Sequence, residues 1–488
     1  MNRRGEVSFG RGFAGALCAA ACGMLAPCAV ALAQSAEKAG EKSSEIDKYS
    51  RWEIFNGYAP VMAVAFIVTL FATPLMRKLA ITYGVVDRPS ESRKVHRMPV
   101  AYLGGVAVFL GMLAGVLYSY ASIKVAGLIE YHPSQHATAA EPEQRILPLF
   151  VLFGMTVVVV VGLLDDVWGL APRVKIGGLL FAAALLAIDD IGARVAAQVL
   201  SPLGTLLGNP TLVFHIPLPI HIGDASSVSF DLVYWVGTAI IGFFVLGACN
   251  ATNLIDGLDG LLTGTTAISA AGLLIIALGM AAADDGPRDT QRLVMCMALL
   301  GACLGFLPHN FNPATIFLGD AGSLLLGYSI IVIILTLGAT DKTHLVMAGM
   351  IVFALPMIDT TLAIVRRKMA GQSISSADSD HLHHMLKRAL GVKGAVLTLY
   401  AIAAAFAALG VIVSMGRARV VYILALMLAS FIGVTAIKIA RRKFIEQQAL
   451  DYEARRTAGL QPSIPASPVL PISGREAVAA GSETASAR

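Results

Sequence analysis

Cys249 to Leu262 reads CNATNLIDGLDGLL, and it lies between two apolar runs, 231–249 and 261–282, each long enough to cross a bilayer. Asn250, Asn253, Asp256, Gly257, Asp259 and Gly260 bring two amides, two carboxylates and two glycines into eleven positions. Charged groups at membrane depth cost roughly 2.5–3.5 kcal/mol each on insertion scales, so they are usually kept for a task. Polar groups at i, i+3, i+6 and i+9 step round an ideal helix by about 60° each, which sends Asn250 and Asp259 to opposite faces. Their convergence requires a break in the helix, and Gly257 and Gly260 permit one. Broken backbone at that depth is tolerated only where protein buries it or water reaches it. A loop that merely turns the chain is the plainer alternative, and it leaves both carboxylates unexplained.

The surrounding chain fits this reading. Of its 488 residues 56% are hydrophobic and only 14% charged, with a mean hydropathy of +0.71, whereas soluble domains are about a quarter charged. The expected fold is an all-α polytopic membrane protein of about eleven transmembrane helices after a signal-like leader. The spans are 58–76, 104–123, 147–164, 176–188, 231–249, 261–282, 293–307, 324–338, 346–364, 394–416 and 420–439. Arg3, Arg4 and Arg11 precede an alanine-rich apolar run that ends in Ala31-Leu32-Ala33, a small-residue cleavage pattern; a retained helix is the alternative. The domain reading is a leader 1–33, an extracytoplasmic segment 34–57, a transmembrane domain 58–440 and a cytoplasmic, disordered tail 441–488. The six cysteines form no CxxC pair, so neither a disulfide framework nor a zinc site follows from them. Alternation in Val213–Ile222 (VFHIPLPIHI) reads as a short hairpin.

Basic residues concentrate in the loops after the first, third, ninth and eleventh spans, including Arg77, Arg93, Lys175, Arg366 and Arg441, which makes those loops cytoplasmic. The same face receives Asp87–Gly105, Asp165-Asp166, the opening stretch, Pro308–Ser323 and Asp378–Arg388. Five clusters from distant parts of the chain at one membrane face imply one site, built from broken helices and loops.

Each cluster has a chemical reading. Asp165 and Asp166 are neighbours about 100° apart on a helix, so they serve separate tasks. They end a helix, where the macrodipole disfavours anions, which points to a cation or a proton. In Gly319-Asp320-Ala321-Gly322-Ser323, glycines flank an acid at a helix start, an arrangement suited to a phosphate or a metal-bound oxygen. His381, His383 and His384 stand beside Lys387 and Arg388; those cations repel a metal, so polyanion binding fits better. Acids able to hold a hard cation, basic groups and glycine turns together are the parts needed for phosphoryl transfer. A transporter would also carry intramembrane acids, but it predicts them at mid-membrane and in related halves of the chain. No nucleic-acid partner is inferred.

The motifs, taken together, resemble the polyprenyl-phosphate N-acetylhexosamine-1-phosphate transferases, and are most similar to the branch acting on UDP-N-acetylglucosamine and undecaprenyl phosphate. The likeness runs from Asp87 to Arg388. It rests on Arg93–His96 (RKVH) with Gly104-Gly105, the DD pair with Lys175, NATNLIDGLDG, GFLPHNFNPATIFLGDAGS, PMIDTTLAIVRR (356–367) and HLHH (381–384). His-Leu-His-His differs from the three consecutive histidines of the muramoyl-pentapeptide branch. Ala101 and Tyr102 depart from the family pattern. The resemblance implies transfer of a sugar 1-phosphate, GlcNAc-1-phosphate foremost, from a UDP-N-acetylhexosamine to undecaprenyl phosphate, with release of UMP and entry into cell-surface polysaccharide assembly. It implies Mg²⁺, with Mn²⁺ as a substitute, held by Asp320 and by Asp165 or Asp166. Asp165, Asp166, Asp256 and Asp259 are the implied catalytic residues. Arg93, Lys94, His96, Lys175, Asn250, Asn253, His381, His383, His384 and Arg388 are the implied substrate contacts. A membrane-lipid environment at the bacterial inner membrane follows, and a homodimer is compatible with it.

Overall fold

The computed structural model describes residues 50–87, 100–131, 147–209, 211–222, 225–283, 288–338, 343–369, 381–416 and 426–434. Helix α1 (Arg51–Tyr83) opens on a capping box: the Glu53 backbone N–H donates to Ser50 Oγ at 3.2 Å, and the Ser50 N–H to Glu53 Oε2 at 2.8 Å. This satisfies two N–H groups that a helix start leaves without partners. There follow β1 (Val86–Asp87), β2 (Val100–Ala101), α2 (Gly104–Lys124), α3 (Leu149–Trp168), α4 (Pro172–Ile188) and α5 (Ala193–Leu206). Strands β3 (Val213–Ile222) and β4 (Ala225–Asp231) lead into α6 (Leu232–Ile255), α7 (Leu261–Ala282) and α8 (Asp289–Asn310). The chain continues as α9 (Gly319–Leu337), α10 (Thr343–Val352), α11 (Ala354–Met369) and α12 (Leu382–Ser414).

Helix α9 is the axle. Its sequence, GDAGSLLLGYSIIVIILTL, is apolar on every side, and 94% of its span window is buried, as expected of a helix surrounded by others. Helices α3 and α6 flank it most extensively, with α2, α7, α8 and α10 completing the wall. Helices in lipid gain little from hydrophobic exclusion and associate through close packing of small residues. A Cβ on Gly162 of α3 would fall 2.5 Å from the Ala321 nitrogen, and one on Gly105 of α2 would fall 2.5 Å from Gly322 Cα. Backbone therefore rests on backbone at both crossings, and the start of α9 is gripped from two sides.

The far end of α9 is closed by a buried ion pair. Arg292 of α8, fully buried, bonds to the Asp289 carboxylate and donates to Thr336 O at 2.8 Å.

Among the described residues, eight helices are long and apolar enough to cross a membrane, or nine if the bent α10–α11 pair is one span. The polytopic reading holds, and several predicted spans differ in form. Helix α4 has 17 residues, about 26 Å, shorter than a bilayer core of about 30 Å. The run at 346–364 is not continuous: α10 and α11 meet at 75°. Pro356 explains the bend, because it lacks the N–H that would bond the carbonyl four residues back, at Val352. Of the eleventh predicted run only 426–434 is described, and it is helical. The leader and the tail lie outside the described residues. VFHIPLPIHI forms one strand, not a whole hairpin; β4 is its antiparallel partner.

Candidate active site

The first turn of α9 gathers the acids. Gly319 opens the helix with φ +68°, a conformation that costs glycine little. The backbone N–H groups of Asp320 and Ala321 then donate to Asp166 Oδ1 at 2.8 Å and Oδ2 at 3.1 Å. The helix start that the sequence suggested for a phosphate is thus filled by a carboxylate from α3. Asp166 caps α9 across the bundle, a role its own position at the end of α3 did not reveal.

Asp165 points elsewhere, as its helical angle requires. Its Oδ1 accepts from the Leu170 N–H at 2.7 Å, and its Oδ2 lies 3.0 Å from Lys175 Nζ. The same ammonium pairs with Asp320 Oδ2. Asn253 Nδ2, from the last turn of α6, holds Asp320 Oδ1 at 2.7 Å and reaches Ser323 Oγ at 3.0 Å. Two carboxylates from different helices therefore share one cation position. An oxygen from each of two carboxylates is also the kind of ligand supply a hard divalent ion takes from protein; in this structure the position is bonded to the Lys175 ammonium.

The opening stretch breaks as its periodicity predicts. Helix α6 stops at Ile255, Asp256 caps it, and Gly260 enters α7 with φ +76°. Asp259 Oδ2 accepts from Asn312 Nδ2 at 2.9 Å and from the Ala314 N–H at 3.0 Å, which ties the turn to the loop before α9. Tyr400 of α12 donates to Gly260 O at 2.5 Å. Asn310 accepts from Thr263 Oγ1 at 2.8 Å and donates to Ile316 O at 3.1 Å, so both sides of that loop are stitched to α7 and α8.

These elements enclose a cavity of about 280 Å³, lined by Asn253, Asp256, Gly257, Asp259, Asp320, Asp87, Tyr102, Asn310, His384 and Lys387 among others. Its wall is strongly acidic. Burial, followed by the negative charges of Asp320, Asp166 and Asp259, pushes the Asp256 carboxyl up to about 8, because a desolvated anion beside other anions is disfavoured. Burial and then Asp87 likewise raise the Tyr102 phenol.

The predicted residues divide clearly. Asn253, Asp256, Asp259, Asp320 and His384 line the cavity, and Asp165, Asp166 and Lys175 are bonded to its rim. Asn250 does not join them: it is exposed and its amide donates to Leu246 O one turn back at 2.7 Å. His381 and His383 are buried behind the wall rather than on it, and Arg388 is exposed outside it. Arg93, Lys94 and His96 lie outside the described residues. Gly104 and Gly105 donate their N–H groups to Phe317 O and Leu318 O at 3.0 and 2.8 Å, a contact that seats α2 against the entry to α9. Asp87, Asn310 and Asp359 fall inside stretches that the sequence singled out but were given no role of their own there. Asp359 had a signal, since it is an acid within an apolar span.

Comparison with known proteins identifies the family. Residues 148–338 match the family described as "Glycosyl transferase family 4". A "Probable undecaprenyl-phosphate N-acetylglucosaminyl 1-phosphate transferase" of Bacillus subtilis (strain 168) is 32% identical over 70% of this chain and 82% of its own length. A "Decaprenyl-phosphate N-acetylglucosaminephosphotransferase" of Mycolicibacterium smegmatis is 33% identical over 79% of this chain and 89% of its own. A "Phospho-N-acetylmuramoyl-pentapeptide-transferase" of Bacillus cytotoxicus is 29% identical over 68% and 90%. The chain belongs to glycosyl transferase family 4, among the polyprenyl-phosphate N-acetylhexosamine-1-phosphate transferases that its motifs resemble.

Proposed function

We propose that the protein transfers N-acetylglucosamine 1-phosphate from its UDP-sugar to undecaprenyl phosphate at the cytoplasmic face of the membrane, with release of UMP. The observation that carries this reading is the cation position shared by Asp165 and Asp320 at the rim of an acidic cavity, in a chain whose relatives are named for this transfer. An oxygen of the lipid phosphate attacks the β-phosphorus of the nucleotide sugar. The bond from that phosphorus to the bridging oxygen breaks, and UMP leaves with it. One pyrophosphate linkage replaces another, so the equilibrium lies near unity and a later reaction must draw off the product.

A phosphate monoester has its second pKa near about 6, so the acceptor is largely dianionic at neutral pH and needs no strong base. The difficulty is holding several negative groups together, which is mostly a matter of positioning and charge neutralisation. Mg²⁺ at Asp165 and Asp320 would supply that neutralisation. Asn253 fixes the Asp320 carboxylate, Lys175 adds a positive charge beside it, and Asp166 holds the start of α9 in register. Asp256 and Asp259 shape the broken turn under the diphosphate. His384 and Lys387 face the cavity from α12 and meet the nucleotide sugar.

The muramoyl-pentapeptide donor is the second reading, favoured by the relative of that name and opposed by the His-Leu-His-His spacing. Purified protein incubated with undecaprenyl phosphate, Mg²⁺ and a panel of UDP-sugars decides between them. UMP and a lipid diphosphate sugar form with UDP-GlcNAc; absence of turnover with every sugar overturns the reading.

A further inference from the structure

Asp359 lies behind the cavity wall, out of reach of any substrate held there. It sits on α11, past the bend, and is 1% exposed. An unpartnered carboxylate would be costly there, and this one has partners through both oxygens. Its Oδ1 accepts the backbone N–H of Leu382 at 2.9 Å, and its Oδ2 lies 3.0 Å from His381 Nδ1 and 3.7 Å from His383 Nδ1. His381 is the residue before α12 and gives that helix no side-chain cap of its own. Asp359 supplies the missing acceptor from another helix, as a carboxylate at a helix N-terminus should.

The clamp reaches the cavity through His383. The His383 ring seats against the broken turn: a Cβ on Gly257 would fall 3.0 Å from His383 Cδ2 and 3.2 Å from Cε1. Gly257 is flanked by Asp256 and lies two residues from Asp259. The His384 ring follows with its centroid 4.2 Å from that of His383, and it lines the cavity with Lys387 one helical turn on.

We propose that Asp359 is a positioning residue for the transfer. It fixes His381 and the first turn of α12, so that His383 on that turn buttresses the Gly257 turn while His384 and Lys387 face the nucleotide sugar. This rests on the reading of the cavity as the donor site.

The full chain in detergent or nanodiscs serves as the test, with kcat and KM measured separately for UDP-GlcNAc and undecaprenyl phosphate, and a thermal midpoint for each variant. Asp359→Asn is expected to raise the donor KM or lower kcat by about 10- to 100-fold, with the acceptor KM within twofold. Asp359→Glu, which keeps the charge, should recover part of the loss. Gly257→Ala, which presses on His383 from the other side, should reproduce the kinetic defect, and the double variant should be no worse than the poorer single one. Donor kinetics within twofold of wild type in Asp359→Asn overturn the proposal; if that variant does not fold, unchanged kinetics in Gly257→Ala do so. The Asp359, His381 and His383 donor atoms all lie within 4.8 Å of one another. One transition-metal ion per purified chain, lost in Asp359→Asn, would therefore overturn the clamp in favour of a metal site. His384→Ala separates the two levels: a donor KM unchanged there sinks the donor-site reading, whereas a changed one beside an unaffected Asp359→Asn sinks the clamp alone.

Discussion

The two ends of α9 solve the same electrostatic problem in opposite ways. At the far end one acid meets one guanidinium: Asp289 and Arg292 are 3% and 0% exposed, and Arg292 also bonds to the Thr336 carbonyl. At the near end Asp165, Asp166, Asp256, Asp259 and Asp320 converge, and the ammonium bonded among them is that of Lys175. The first end pairs its buried acid with a guanidinium inside the packed bundle, away from the cavity. The second is short of positive charge and open to a cavity, which is the condition for binding a cation and a polyanionic substrate. Buried charges in a membrane protein thus separate into structural and functional sets by their neutralisation and access.

Substitutions at the two ends should have contrasting effects. The largest effect on turnover is expected for Asp320→Asn, with UMP release in membranes falling on the order of 10²–10³-fold and no loss of thermal stability. Arg292→Met should do the reverse. It leaves a buried acid without its ion-pair partner, at a cost of about 3–5 kcal/mol, read as a lower thermal midpoint, while turnover per folded molecule stays unchanged. Gly162→Ala tests the grip on the start of α9. A methyl forced against the Ala321 backbone should cost about 1–3 kcal/mol and also lower kcat, because it shifts Asp320.

A further expected effect is on pH dependence. The Asp256 carboxyl is pushed up to about 8 in the fold, against about 3.9 when unfolded. The folded state therefore holds this proton more tightly, so the group's contribution to stability is complete below about 4 and is lost as pH rises towards 8. Thermal unfolding of the metal-free protein between those limits should show that decline, and Asp256→Asn should flatten it.

The sequence made the break legible, because helical periodicity set Asn250 and Asp259 on opposite faces and glycines stood where the chain had to turn. That arithmetic also misled at Asn250, which is satisfied within its own helix and had no need to converge. The bend in α10–α11 carried a mark in Pro356, hidden by an otherwise unbroken apolar run. Asp166 and Asp359 were harder. Each caps a helix start that belongs to another element, and nothing in one chain's order of residues reveals which helix lies across from which acid. The histidines were visible as a cluster, but the clamp that would decide which of them faces the cavity lies 22 residues from His381.

Cation binding, read apart from turnover, tests the contrast most directly. Mn²⁺ titrated into the purified chain and followed by electron paramagnetic resonance should fill one saturable site in the wild type, displaced by Mg²⁺. That site should persist in folded Arg292→Met and be lost in Asp320→Asn. A wild-type chain that binds no Mn²⁺, or an Asp320→Asn variant that binds it as tightly as wild type, would contradict the account.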